Sequence, residues 1–112
     1  MQRGDITAQL LSDVKTYLQI TWTDEATDAR IRGLIASGSV YLDGIGGEPL
    51  DYYHDGTART LLFEYVRYAR DAALDVFENN YRSLILALGD EMRGMRYVEK
   101  TIAAGSLDQP DV

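Results

Sequence analysis

Cysteine is absent from this chain of 112 residues, and histidine and proline are scarce, with one and two copies. Without cysteine there can be no disulfide framework and no thiolate metal site, which suits a reducing compartment. No run approaches the roughly 20 apolar residues of a membrane span, and no signal-peptide pattern follows Met1. Acidic residues outnumber basic ones 18 to 11, for a net charge of -7. This excess disfavours a protein whose whole surface grips nucleic acid.

Apolar residues recur along the chain with the spacing of an α-helix. A first helix is predicted from Thr7 to about Leu18, with Thr7 as its N-cap. Thr23 is expected to cap a second helix over residues 24–43, which the glycines at 44, 46 and 47 should end. The core-facing stripe of that second helix is Ile31, Leu34, Ile35, Gly38 and Leu42.

The longest helix is predicted over residues 56–78, capped by Asp55. About 23 residues would make a rod of roughly 35 Å. A fourth amphipathic segment, residues 81–88, is either a separate helix or a bent continuation. Together these patterns predict an all-α domain of three or four helices over residues 5–91, with one long central helix. Residues 92–112 have little apolar periodicity and predict a flexible tail that is mobile or ordered by a partner.

Segment 44–55, termed the acidic loop, carries three acids and no lysine or arginine. Its single histidine, His54, lacks the further histidines or cysteines of a typical zinc site, and no serine has the surroundings of a catalytic nucleophile. We interpret His54 as a loop residue. The glycines at 44–47 follow a helix rather than a strand, so they indicate a helix stop and not a phosphate-binding loop.

Three carboxylates at i, i+4 and i+7 offer the clearest enzymatic hypothesis. Asp71, Asp75 and Glu78 would share one face of the long helix and could hold Mg²⁺, as in all-α nucleotide pyrophosphohydrolases. Those enzymes need a second cluster of the E-x-x-E type, which this chain lacks. We therefore favour a solvated face, with no catalytic residues, no metal and no cofactor.

Arginine is the most frequent basic residue, and tyrosine is the most frequent aromatic residue. Nine of the eleven basic residues are Arg, and eight of the eleven aromatic residues are Tyr. Both are enriched at protein interfaces, since each combines a large contact area with a polar end. Basic residues are scattered rather than gathered on one recognition helix, which disfavours sequence-specific DNA binding.

The order of these segments resembles the head–tail connector proteins of tailed bacteriophages and prophages, the small gp6-like adaptors. The resemblance covers about residues 7–91: LLSDVKTYLQI, then TDEATDARIRGLIASGSVYLDG, a glycine-rich loop, and LLFEYVRYARDAALDVFENNYRSLILAL. It implies a structural protein of the virion neck, assembled in the bacterial cytoplasm as a homo-oligomeric ring of about a dozen copies. The implied partners are the portal protein and a stopper or tail-completion protein. DNA would pass through the ring without specific binding.

Two contact regions are predicted on this basis. The first is a lumen or inter-ring contact through Glu48, Asp51, Tyr52, Tyr53 and Asp55. The second is a subunit or portal contact through Arg93, Arg96 and Tyr97. The alternatives are the Mg²⁺-dependent hydrolase, a DNA-binding packaging component such as a small terminase subunit, and a helical regulatory dimer.

Overall fold

The regular structure of this chain is helical. A computed structural model describes residues 7–103, and within that range it contains five helices and no strand. They are α1 (Ala8–Tyr17), α2 (Glu25–Gly46), α3 (Thr57–Arg70), α4 (Leu74–Asn80) and α5 (Arg82–Ala103). The all-α prediction is confirmed, but there are five helices rather than three or four.

The first two helices begin at capping side chains. The Thr7 hydroxyl accepts a hydrogen bond from the Leu10 amide at 3.2 Å, as predicted. The prediction that Thr23 caps α2 is wrong by one residue. Asp24 is the cap, and its carboxylate accepts from the Thr27 amide at 2.9 Å. A carboxylate at this position also opposes the positive end of the helix dipole.

Helices α2 and α3 form an antiparallel pair that organises the domain. Gly38 is buried where they cross, and a Cβ built there would lie 2.8 Å from carbons of both Leu62 and Tyr65. Farther along the pair, Arg30 donates a hydrogen bond to the carbonyl of Arg70 at 3.2 Å. The close approach therefore depends on the absence of a side chain at Gly38 in α2.

The predicted long helix over 56–78 is wrong, because the chain turns at residues 71–73. Ala72 has a left-handed φ of 54°, and the amides of Asp71 and Ala73 both donate to the carbonyl of Tyr68. The turn brings Phe77 back onto α3, where its fully buried ring lies 5.7 Å from Tyr65 and 6.1 Å from Tyr68. Burial of this aromatic ring overrides the helix propensity of the alanines.

The core is formed by apolar side chains from all five helices and the loops between them. Ten of these side chains are almost fully buried: Leu10, Val14, Ile31, Ile35, Leu42, Tyr52, Leu61, Leu62, Val66 and Phe77. The expected stripe on α2 is confirmed at Ile31, Ile35, Gly38 and Leu42, with Leu34 half-buried. On the α3–α4 side, Val76 is exposed.

Helix α5 extends well beyond the predicted fourth segment. It begins at Arg82, as a separate helix, and continues to Ala103. Residues 92–103 of the predicted flexible tail are therefore helical, and Met92 packs against the core. Residues 104–112 lie outside the described part of the chain. The domain boundary expected after residue 91 falls inside this continuous helix.

One carboxylate is buried in the middle of the fold. Glu64 of α3 is only 3% exposed. It accepts hydrogen bonds from the hydroxyls of Tyr17 and Tyr81, the latter at 2.9 Å, and from the Arg67 guanidinium at 3.3 Å. The network thus joins α1, α3 and the junction between α4 and α5, and it supplies the polar partners that a buried charge requires.

We expect Gly38→Ala to destabilise the fold and Gly33→Ala to stabilise it. The added methyl at position 38 would collide with Leu62 and Tyr65, which should cost about 1–3 kcal/mol. Gly33 lies in the same helix with nothing near its Cβ position, so alanine there should add up to about 1 kcal/mol through helix propensity. Urea unfolding of both variants measures the difference. Equal effects would contradict the close approach of α2 and α3.

We expect Tyr17 to ionise at an unusually high pH. Desolvation, followed by the hydrogen bond to Glu64, raises the pKa of Tyr17 from 10.0 to about 12. Because the unfolded chain loses this proton first, the stability linked to Tyr17 is intact below pH 10 and falls as the pH rises towards 12. Ring-carbon NMR shifts would report the titration. Tyr17→Phe should lose less unfolding free energy over that pH interval than the wild type.

Candidate functional site

The acidic loop is held in place by one of its own side chains, Tyr52, and by Asp43 in the last turn of α2. Tyr52 is 1% exposed and donates its hydroxyl proton to Asp43 Oδ1 at 2.6 Å. The same Asp43 oxygen accepts from the Leu50 amide at 3.0 Å. Asp43 at the end of α2 therefore fixes the loop at two points, because one carboxylate oxygen can accept two hydrogen bonds.

The start of the loop differs slightly from the prediction. Helix α2 continues through Gly46 and ends at Gly47, whose φ of 82° is the left-handed conformation that glycine adopts most readily. The glycine stop is confirmed there, three residues later than the predicted end of the helix. Asp55 does not cap α3, since Gly56 occupies that position without a side-chain hydrogen bond.

Asp51 organises the outer part of the loop. Its Oδ1 accepts from the Tyr53 amide at 2.8 Å, and its Oδ2 lies 2.7 Å from His54 Nδ1. The hydrogen bond from the Tyr53 amide is the main reason that the pKa of Asp51 is lowered. His54 is an exposed loop residue, as we interpreted it from the sequence.

Arg59 ties the loop to α1 and α3. Its guanidinium donates to the carbonyl of Tyr52 at 2.9 Å and to the Asp13 carboxylate at 3.2 Å. The same group lies 4.5 Å from the centre of the Phe63 ring, a cation–π distance. Asp55 is only at the edge of this cluster, 3.9 Å from Arg59 Nε, and its side chain is fully exposed.

The five residues predicted for a lumen or inter-ring contact do not form one surface. Glu48, Asp51 and Asp55 line a common groove. Tyr52 is buried against the core, so its prediction as a contact residue is wrong, and its part is to hold the loop. Tyr53 is half-buried, with its hydroxyl 2.9 Å from that of Thr7.

This groove separates the acidic loop from α5. It has a volume of about 350 Å³, and α5 supplies Leu88, Glu91, Met92 and Met95 as its opposite wall. Gly89 of α5 passes Ile45 of α2 here, and a Cβ built on it would make an ordinary contact of 3.5 Å with the Ile45 carbonyl oxygen. The result is an apolar floor with carboxylates on both walls. The structure thus places part of the first predicted region next to the helix that carries the second.

The second predicted region is on the outer half of α5. Arg93 makes an ion pair with Asp90, and Tyr97 is 71% exposed. The side chain of Arg96 lies outside the described part of the structure. Two further apolar side chains, Met95 and Val98, are 49% and 47% exposed. Exposed apolar side chains that are grouped in this way indicate a surface for a partner.

The magnesium hypothesis loses its geometric basis. Helix α3 ends before Asp71, whereas Asp75 and Glu78 belong to α4, so the three do not share the face of one helix. Glu78 accepts a hydrogen bond from Tyr41 at 3.3 Å. Across residues 7–103, no group of three or more histidine or acidic side chains could hold a metal ion.

Sequence reasoning missed Asp43, Arg59 and Glu64, the polar residues that hold the site and the fold. One signal was available for Glu64, since it interrupts the apolar run from Leu61 to Val66. A charge in such a run indicates a buried polar partner. Asp43 and Arg59 carry no such signal, because their partners are far away in the sequence or are backbone groups.

Comparison of the chain with models of protein families, with curated proteins and with solved structures gives no match. Among the helices that the structure describes, none combines the length and the apolar character needed to cross a bilayer.

We expect Tyr52→Phe to destabilise the chain by about 1–3 kcal/mol. The substitution removes the proton donor to a partly buried Asp43 carboxylate and leaves that oxygen less well solvated. Tyr53→Phe is the matched control: its hydroxyl bond to Thr7 is exposed, so its cost should stay below about 0.5 kcal/mol. Thermal unfolding of both variants gives the comparison. Equal losses would show that Asp43 does not depend on Tyr52.

Proposed function

We propose that this chain is a structural adaptor from the neck of a tailed bacteriophage or prophage. In this proposal, copies form a ring under the portal, extend the DNA channel and join head to tail. The support from the sequence is the ordered resemblance over residues 7–91 to gp6-like connector proteins. The all-helical fold agrees with that resemblance, although a fold alone does not define a function.

The observation that carries the proposal is the outer half of α5. It leaves the core after Met92 and exposes Met95, Tyr97 and Val98. Exposing large apolar side chains to water is unfavourable, and this cost is removed when another protein covers them. An adaptor needs such a surface, since it must bind other copies of itself and the proteins above and below.

The acidic loop supports the same proposal. Its three carboxylates, Glu48, Asp51 and Asp55, all face the open groove rather than the core. Carboxylates repel the phosphates of DNA, whereas DNA-binding surfaces present arginine and lysine. A ring whose copies each carry a net charge of -7 would repel DNA rather than hold it, whichever surfaces join the copies. The proposed partners are the portal protein and a stopper or tail-completion protein.

Electron microscopy of the purified protein, alone and mixed with portal-bearing particles, tests the proposal. We expect a ring of about a dozen copies around a central hole, either in solution or only on the particle. Absence of the ring on intact portal particles at saturating protein would contradict the adaptor function. Salt-sensitive retardation of DNA by the protein would instead favour the small terminase subunit, and nucleotide hydrolysis would favour the enzyme.

We expect truncation after Met92 to preserve the helical fold and abolish docking to portal particles. The cut retains Met92, which packs against the core, and removes Arg93, Tyr97 and the exposed apolar residues. Circular dichroism would check the fold, and co-sedimentation with particles would measure docking. Met95→Ser/Val98→Ser is the finer variant, which should weaken docking at full helix length. Unimpaired docking of both proteins would exclude this region as the contact.

A further inference from the structure

A second charged surface lies at the far end of the α2–α3 pair. It is an open cavity of about 390 Å³, lined by Tyr17, Leu18, Gln19, Arg67, Arg70 and Asp71, and is termed the arginine cavity. The adaptor function as described so far gives this surface no partner.

The two guanidiniums of this cavity are placed to receive an anion. Arg67 uses one nitrogen, Nη1, to donate to Glu64 at 3.3 Å, and its side chain is 59% exposed. Arg70 is also exposed, and within residues 7–103 its guanidinium makes no hydrogen bond or ion pair. Arg30 of α2, which does not line the cavity, donates to the backbone carbonyl of Arg70 at 3.2 Å. Among residues 7–103, Asp71 is the only carboxylate that lines the cavity.

The arginine cavity and the acidic loop lie at opposite ends of one rigid element. The acidic loop leads into α3 at Thr57, and Arg67 and Arg70 are in its last turn. A helix of 14 residues is about 20 Å long, so the two surfaces are too far apart to meet within one copy. Each copy therefore presents one acidic end and one arginine-rich end.

We propose that the acidic loop of one copy binds in the arginine cavity of a second copy. This contact deepens the proposed function and rests on it, because it supplies the head-to-tail interface of the ring. Asp55 is the leading carboxylate, since its side chain is fully exposed and makes only a 3.9 Å contact with Arg59. Arg70 is the leading guanidinium on the other side.

The chemistry of the two surfaces favours a second copy over an unrelated anion. Carboxylate and guanidinium groups form paired, charge-assisted hydrogen bonds, and the acidic loop offers three carboxylates without any lysine or arginine. Two different, complementary surfaces on each copy make a heterologous contact, which closes into a ring if the rotation between copies permits. A self-complementary dimer would instead bury the same surface on both copies.

Cysteine cross-linking tests this contact directly, since the natural chain contains no cysteine. His54→Cys places a thiol on the loop and keeps all three carboxylates, and Asp71→Cys places one at the cavity and keeps the arginines. Both residues are exposed. The two single variants are mixed, assembled with portal particles and oxidised. We expect a disulfide-linked pair from the mixture and little cross-linking from either variant alone.

Charge reversal provides the second measurement. Asp55→Lys and Arg70→Glu should each abolish assembly of the ring, whereas the double variant should restore it by exchanging the signs of the pair. Glu25→Lys and Arg32→Glu are matched controls at exposed positions that line neither surface, and they should assemble like the wild type. Circular dichroism of each variant checks the fold.

The outcomes separate this contact from the adaptor function. Rings that form without the mixed cross-link, or that tolerate both single reversals, would overturn the loop–cavity contact and leave the adaptor proposal standing. Equal cross-linking of each variant with itself would also overturn it, because the contact would then be self-complementary. Failure of the wild-type protein to assemble under any of these conditions would overturn both proposals.

Discussion

The buried Glu64 carboxylate is the constraint on which the arrangement of the helices depends. It is a polar group covered by the core, so the fold must bring hydrogen-bond donors to it. The hydroxyl of Tyr17 donates to it from α1, and the hydroxyl of Tyr81 donates from the junction at which α4 ends and α5 begins. The direction in which α5 leaves the bundle is therefore coupled to a polar network, and not only to apolar contacts that tolerate small shifts.

That direction decides which surfaces the chain presents. Because α5 passes beside the acidic loop, Glu91 and Met95 face the loop carboxylates across one groove. Beyond the groove, the helix exposes apolar side chains to solvent. At the other end of α3, the arginine cavity adjoins Tyr17, one of the donors to Glu64. The Glu64 network thus fixes the arginine end directly, through Tyr17 and Arg67, whereas the acidic loop is held separately by Asp43 and Arg59.

The proposed adaptor function gives each of these surfaces a use in assembly. The outer half of α5 would contact the portal, whereas the loop and the cavity would join neighbouring copies. A ring subunit needs contacts in two directions, and surfaces on separate elements allow them to form independently. The enzymatic alternative loses its single-helix geometry, because Asp71 is separated from Asp75 by the turn at Ala72.

The sequence by itself determined the helical class, the Thr7 cap, the buried stripe of α2 and the glycine stop at Gly47, because these follow from neighbours within one or two helical turns. Only the tertiary structure decided the turn at Ala72, since it is the burial of Phe77 on α3 that stabilises a left-handed alanine there. It also decided that Tyr52 points into the core and that residues 92–103 are helical. The partner of Tyr52 is Asp43, nine residues earlier across the loop, and contacts of that kind leave no periodic trace in the sequence.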